Sequence, residues 1–132
     1  MIMWNEYIQK TEITDKVTEE TVKFAKRFGT YLGKDENSPV KNKLTTNQLR
    51  KFFGEIKRQQ LRGYDKSEFV LLKPKLAYAV GRDTNKTKID DFYRVISSAM
   101  DYVTDERQFN NFVSIFEAIV AYHKAVESGK DI

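Results

Sequence analysis

Apolar positions recur along most of the chain at intervals of three and four, the spacing that lines one face of a helix. The run that organises the rest covers residues 44–62. There Leu49, Phe52, Phe53 and Ile56 fall on one side of a helix turning about 100° per residue, while Arg50, Lys51, Lys57, Arg58 and Arg62 gather roughly opposite. Thr45 or Thr46 is the expected cap, because a side-chain oxygen there accepts a first-turn amide that lacks a helical partner. One face is core and the other is cationic, with Arg50 and Lys57, and Lys51 and Arg58, forming two parallel ridges.

The same reasoning carries along the chain. Ile2, Trp4, Tyr7 and Ile8 give a turn or two of helix, with Trp4 either packing on the domain or presenting an apolar contact to a partner. Thr14 is placed as the cap of a helix that runs through Val17, Phe24, Phe28 and Tyr31 to Leu32, with Asp15 at its positive end. Gly33 and the polar residues to Pro39 form a loop, and Lys41 and Lys43 extend the positive region backward into it. After a turn at Gly63 and Asp65, Ser67 caps a helix through Phe69, Leu72, Leu76, Ala79 and Val80, which must kink or restart near Lys73 because Pro74 has no amide hydrogen. Lys75, Tyr78 and Arg82 share a side of its later half. A polar connection over residues 83–88 leads to a helix through Ile89, Phe92, Tyr93, Ile96, Met100 and Val103. Thr104 or Asp105 caps the last helix, whose full stripe of Phe109, Phe112, Val113, Phe116, Ile119, Val120 and His123 marks it as the central strut. No alternating run of useful length and no fixed-period repeat occurs. The expected fold is all-α, a compact bundle of about five helices in a single helical domain spanning residues 1–132.

Composition narrows the function. A chain of 132 residues, 40% hydrophobic and 13% aromatic, is long enough to bury a core without disulfides or metals. It has no cysteine, and no early segment long and apolar enough for secretion or membrane spanning, so the cytoplasm is the expected location. The net charge is only +4, yet residues 40–88 carry thirteen Lys or Arg against four Asp or Glu, a local +9 that leaves −5 elsewhere. Positive charge concentrated in this way fits a polyanionic partner: nucleic acid, an acidic protein or a membrane surface.

Catalytic constellations are missing. His123, the only histidine, lies among apolar positions and reads as structural. No cysteine or second histidine can join it around zinc, no Ser-His-Asp order is visible, and the six glycines make no phosphate loop. The pairs Glu19-Glu20, Asp90-Asp91 and Asp105-Glu106 fall at helix starts or on polar faces, where neighbouring acids diverge. A binding protein without cofactor or metal is expected, not an enzyme. Cations interleaved with Tyr64 and Tyr78 suit an RNA backbone, blind to sequence. Arginine makes forked phosphate contacts, so Arg50, Arg58 and Arg82 rank above Lys51, Lys57 and Lys75, with Arg62 and Tyr78 completing the candidate site. The competing reading is a helical adaptor that docks an acidic protein and never meets RNA.

Three ordered blocks add a resemblance. Residues 44–51, Leu-Thr-Thr-Asn-Gln-Leu-Arg-Lys, resemble the opening helix motif of the small subunit of type III-A CRISPR-Cas Csm effector complexes. Residues 76–82, Leu-Ala-Tyr-Ala-Val-Gly-Arg, are similar to that family's aromatic, small, Gly-Arg segment, although Val80 stands where a smaller residue is expected. Phe109 to Phe112 and Phe116 to Tyr122 are similar to its last helix. The resemblance covers roughly residues 44–123 and little of the first 43. It implies a noncatalytic subunit that stacks in several copies as an inner filament, beside the repeated backbone subunit, the large subunit, the guide RNA and the target RNA. It also implies that Arg50, Lys51 and Arg82 contact RNA, whereas Lys57 and Arg58 rest on helical geometry alone.

Overall fold

The computed structural model of the chain describes Ile8, residues 10–37 and residues 40–130. Among these, the elements in order are α1 (Lys10–Thr14), α2 (Glu19–Leu32), β1 (Glu36–Asn37), β2 (Val40–Lys41), α3 (Thr46–Arg62), α4 (Lys66–Val70), α5 (Leu72–Gly81), α6 (Ile89–Met100) and α7 (Glu106–Glu127). Five of the helices have ten residues or more, so the mostly helical bundle expected from periodicity is what forms. The expectations for the segment around Trp4 and for Ser38 and Pro39 lie outside the described residues.

Side-chain caps set most helix starts. Thr45 opens α3 with a reciprocal capping box: its hydroxyl accepts from the Gln48 amide at 3.1 Å, and Gln48 Oε1 accepts from the Thr45 amide at 2.9 Å. Asp105 opens α7 by accepting from the Gln108 amide at 2.8 Å. Two expected caps are corrected. Thr14 ends α1, and Thr18 opens α2, because Thr18 and Thr21 satisfy each other's amides. Val17 consequently lies in the connection before α2, 41% exposed. Asp65, not Ser67, caps the next helix through the Glu68 amide at 3.0 Å. Pro74 accounts for the division there. With no N–H to continue the ladder from α4, it falls in the first turn of α5, where that hydrogen is not required.

The expected loop over residues 33–43 contains a minimal antiparallel hairpin, with Glu36 opposite Lys41 and Asn37 opposite Val40. Strands of two residues carry no periodicity, but ionic contacts hold this one down. Lys41 Nζ lies 2.8 Å from Asp91 Oδ2 and 2.9 Å from Asp90 Oδ1, and the Tyr31 hydroxyl donates to Asp91 at 2.6 Å. Burial acts against the Lys41 ammonium, but the hydrogen bonds to Asp91 and Asp90 prevail and hold its pKa above the usual lysine value. Burial, reinforced by Asp91, pushes the Tyr31 phenol up. Beside them the Lys88 side chain is 0% exposed, donating to the Tyr31 carbonyl at 2.6 Å and lying 3.7 Å from the centroid of its ring. Burial lowers the Lys88 pKa. Lys41 therefore belongs to a half-buried ionic cluster, not to the extended basic surface, and Asp90-Asp91 is more than a solvated pair.

The core is assembled on α7. Phe109, Phe112, Val113, Phe116, Ile119 and His123 are buried along it, as the stripe predicts, while Val120 is half-buried. Rings from four elements meet there: Phe92 packs edge-on against Phe116 at 5.6 Å, Phe69 against Phe109 and Phe112 at 5.3 and 5.4 Å, and Phe53 stacks on Phe116 at 6.0 Å. Gly29 lets α2 approach α7 closely, since a Cβ there would sit 2.7 Å from the Ile119 carbonyl oxygen and 2.8 Å from Tyr122 Cβ. His123 is 1% exposed, and its Nε2–H donates to the Leu44 carbonyl at 2.6 Å. Glu127 adds a second tie by accepting from both the amide (3.1 Å) and the hydroxyl of Thr46.

Gly29→Ala should cost about 1–3 kcal/mol, the range for overpacking a filled interior, as a lowered urea midpoint; an unchanged midpoint would refute the close approach. Glu127 offers a pH test. The Thr46 hydrogen bonds hold its folded pKa below the ordinary carboxylate value, so its stabilisation is present above about pH 4.3 and lost as pH falls through the lower folded value. Glu127→Gln should reduce stability at neutral pH and flatten the loss on acidification, measured by urea titration across the acid range.

Candidate nucleic-acid interface

Helix α3 shows its cations because its other side is fixed. Leu49, Phe52 and Ile56 are buried, and Phe53 is stacked on Phe116. Toward α7, Lys57 Nζ lies 3.2 Å from Glu117 and Gln60 Nε2 lies 3.3 Å from Asn110. Asn47, Arg50, Lys51, Gly54, Arg58, Leu61 and Arg62 are left on the exposed face.

The eight candidate residues do not form one uniform ridge. Arg50, Lys51 and Arg82 have no carboxylate partner among the described residues. Arg58 binds Glu55 one turn back, with Nε 3.0 Å from Oε2, and Arg62 lies 3.5 Å from Glu68. Lys75 reaches Glu55 at 3.8 Å, and Lys57 is turned to Glu117. The hydrogen bond from Arg58 holds Glu55 below the usual carboxylate range, so Glu55 stays ionised and tempers the surrounding charge. These pairs are at the surface, where each is worth at most about 1 kcal/mol and exchanges readily with a competing anion.

Four of the eight converge. A groove of about 570 Å³ between α3 and α5 brings Lys51, Lys75, Tyr78 and Arg82 around an apolar floor of Phe52, Leu72 and Ala79. Tyr78 is 69% exposed, and the Arg82 guanidinium lies 5.8 Å from its ring centroid. Arg50 faces a separate hollow of about 170 Å³ between α3 and α7, beside Phe53, Val120 and Lys124. Gln48, Thr84 and Asn85, which also line the groove, and Lys124 beside Arg50 are not among the candidate residues named from the sequence, although the i, i+3 spacing sets Gln48 on the Lys51 side of α3. For Thr84 and Asn85 the one signal in the chain is their place directly after Arg82. Asp83 shapes that loop by accepting from the Thr87 amide and hydroxyl, both at 2.9 Å, and Gln48 joins it to α3 by donating to Thr87 at 3.0 Å.

Among the described residues no group of three or more His, Cys, Asp or Glu could hold a metal ion, and no helix is long and apolar enough to cross a membrane. The family model described as Csm2 Type III-A matches residues 15–129. Comparisons with curated proteins and with solved structures give no match.

Gly54 sits in the middle of the exposed face of α3, where an added Cβ would meet nothing within 4 Å. Gly54→Ala should raise stability by about 0.5–1 kcal/mol through helix propensity alone, seen as a higher urea midpoint; a loss would reveal a contact that the isolated helix face does not show.

Proposed function

Because the chain belongs to the Csm2 Type III-A family, and is thereby a small subunit of the type III-A CRISPR-Cas Csm complex that associates with the other Csm subunits, we propose that its α3–α5 surface lies against RNA. In this reading it is a noncatalytic subunit whose basic side follows the backbone of guide and target RNA. Several copies stack as an inner filament, next to the repeated backbone subunit and the large subunit.

The observation that carries the reading is the convergence of Lys51, Lys75, Tyr78 and Arg82 on one groove, with Arg50 on the adjoining side of α3. The residues that the resemblance carries over, Arg50, Lys51 and Arg82, are the three candidate cations without a carboxylate partner among the described residues. Phosphate oxygens satisfy them at small desolvation cost, while Lys57, Arg58 and Arg62 reach RNA only by exchanging surface carboxylates for phosphates. Contacts of this type position an RNA without reading its bases. The sole imidazole serves the fold, being buried on the Leu44 carbonyl.

The triple substitution Arg50→Ala, Lys51→Ala and Arg82→Ala should weaken RNA binding by the assembled complex to a similar degree for unrelated guides. It should also flatten the dependence of log K on log salt by up to about 2, each phosphate contact on single-stranded RNA contributing about 0.7. Salt titrations check both. An unchanged slope, together with an acidic protein retained after nuclease treatment, would replace this reading with a protein-docking surface.

A further inference from the structure

The α3–α5 groove has features that backbone tracking does not require. Phosphates are met adequately by exposed cations along a helix face, as Arg58 and Arg62 offer along α3. The groove is instead concave and ligand-sized, at about 570 Å³, with Phe52, Leu72 and Ala79 as its floor. At its edge stands Tyr78, a residue 69% exposed that provides the core with little of its apolar surface. Arg82 lies over that ring, an arrangement that leaves a planar cation next to a planar aromatic. The wall at Thr84 and Asn85 is polar and is held in shape from outside the groove: the Asn85 carbonyl accepts from Asn42 at 2.7 Å, and Asp83 is occupied by Thr87. Of the two acids in the lining, Asp83 is thus committed to the loop and Glu55 to Arg58 and Lys75.

We infer that this groove takes one unpaired nucleotide of a single-stranded RNA, its base against the Tyr78 ring and the apolar floor and its phosphate between Lys51 and Arg82. The inference rests on the RNA reading above and adds that the subunit distinguishes unpaired from paired RNA. In a duplex the bases are stacked on one another and their faces are out of reach, so only a splayed base reaches the floor. A base presents a flat apolar face with polar edges, which matches a floor of Phe52, Leu72 and Ala79 bordered by Thr84 and Asn85. Because every base has such a face, the contact is tolerant of sequence.

The test uses the full chain with a short single-stranded RNA carrying one 5-iodouridine, and the same RNA annealed to its complement. Irradiation followed by peptide mass analysis should place the adduct on Tyr78 or Phe52 for the single strand, and at neither for the duplex. Tyr78→Ala should weaken single-strand binding roughly tenfold, as loss of one stacked base does, and leave duplex binding unchanged. Tyr78→Phe, which keeps the ring, should bind like the parent. Equal effects of Tyr78→Ala on both forms, or no effect with adducts elsewhere, overturn the nucleotide pocket. If Lys51→Ala and Arg82→Ala then still weaken both forms, backbone contact survives without it. Absence of RNA binding at low salt, or indifference to all these substitutions, counts against both readings.

Discussion

How closely α2 lies against α7 governs the rest of the molecule. Gly29 allows the backbone of α2 to approach the Ile119 carbonyl at a distance no side chain would permit. One turn further along α7 His123 reaches the Leu44 carbonyl, and a second turn on Glu127 accepts from the amide and hydroxyl of Thr46. These bonds fix where α3 begins, and the Phe53–Phe116 stack fixes how it is rotated. Since α3 is amphipathic, its rotation decides which cations face outward. The geometry of the basic surface is therefore set by apolar packing on its opposite side and by two hydrogen-bonded ties at its start.

Charge is divided between two tasks that the sequence does not separate. Lys41 and Lys88 contribute to the local excess over residues 40–88, yet the half-buried Lys41 is spent on Asp90 and Asp91, and the buried Lys88 on Glu36 and the Tyr31 carbonyl. Burying ionised groups stabilises a fold only when each is paired or hydrogen-bonded, and this cluster meets that condition while tying the small hairpin to α2 and α6. Lys57, Arg58, Arg62 and Lys75 are partly compensated by surface carboxylates. Among the eight candidate residues, the exposed charge without a carboxylate partner is thus at Arg50, Lys51 and Arg82, on either side of α3 and at the end of α5.

Helices with a full apolar stripe are legible in the amino-acid sequence alone: α3 with its Thr45 cap, α6, and α7 with its row of phenylalanines and His123. The start of α2 is not, because Thr14 and Thr18 both precede acidic residues and only the Thr18–Thr21 reciprocity distinguishes them. The break at α4–α5 follows from Pro74, but residue type does not choose between Asp65 and Ser67, both good caps, and it is Asp65 that meets the Glu68 amide. The hairpin leaves no trace in the pattern because two-residue strands have no period. Within the candidate site, spacing by itself places Lys75, Tyr78 and Arg82 together. It does not bring Lys51 to them or turn Lys57 toward Glu117, since both depend on how distant helices pack.

Contact between the α3–α5 surface and RNA in the assembled complex is the central claim. Crosslinking the intact complex, protein to RNA and protein to protein, and mapping adducts on this subunit tests that claim most directly. RNA adducts should concentrate on the peptides containing Lys51 and residues 75–82, whatever the guide sequence. RNA adducts absent from those peptides, with Lys51 or Lys75 joined instead to acidic residues of another subunit, would contradict it.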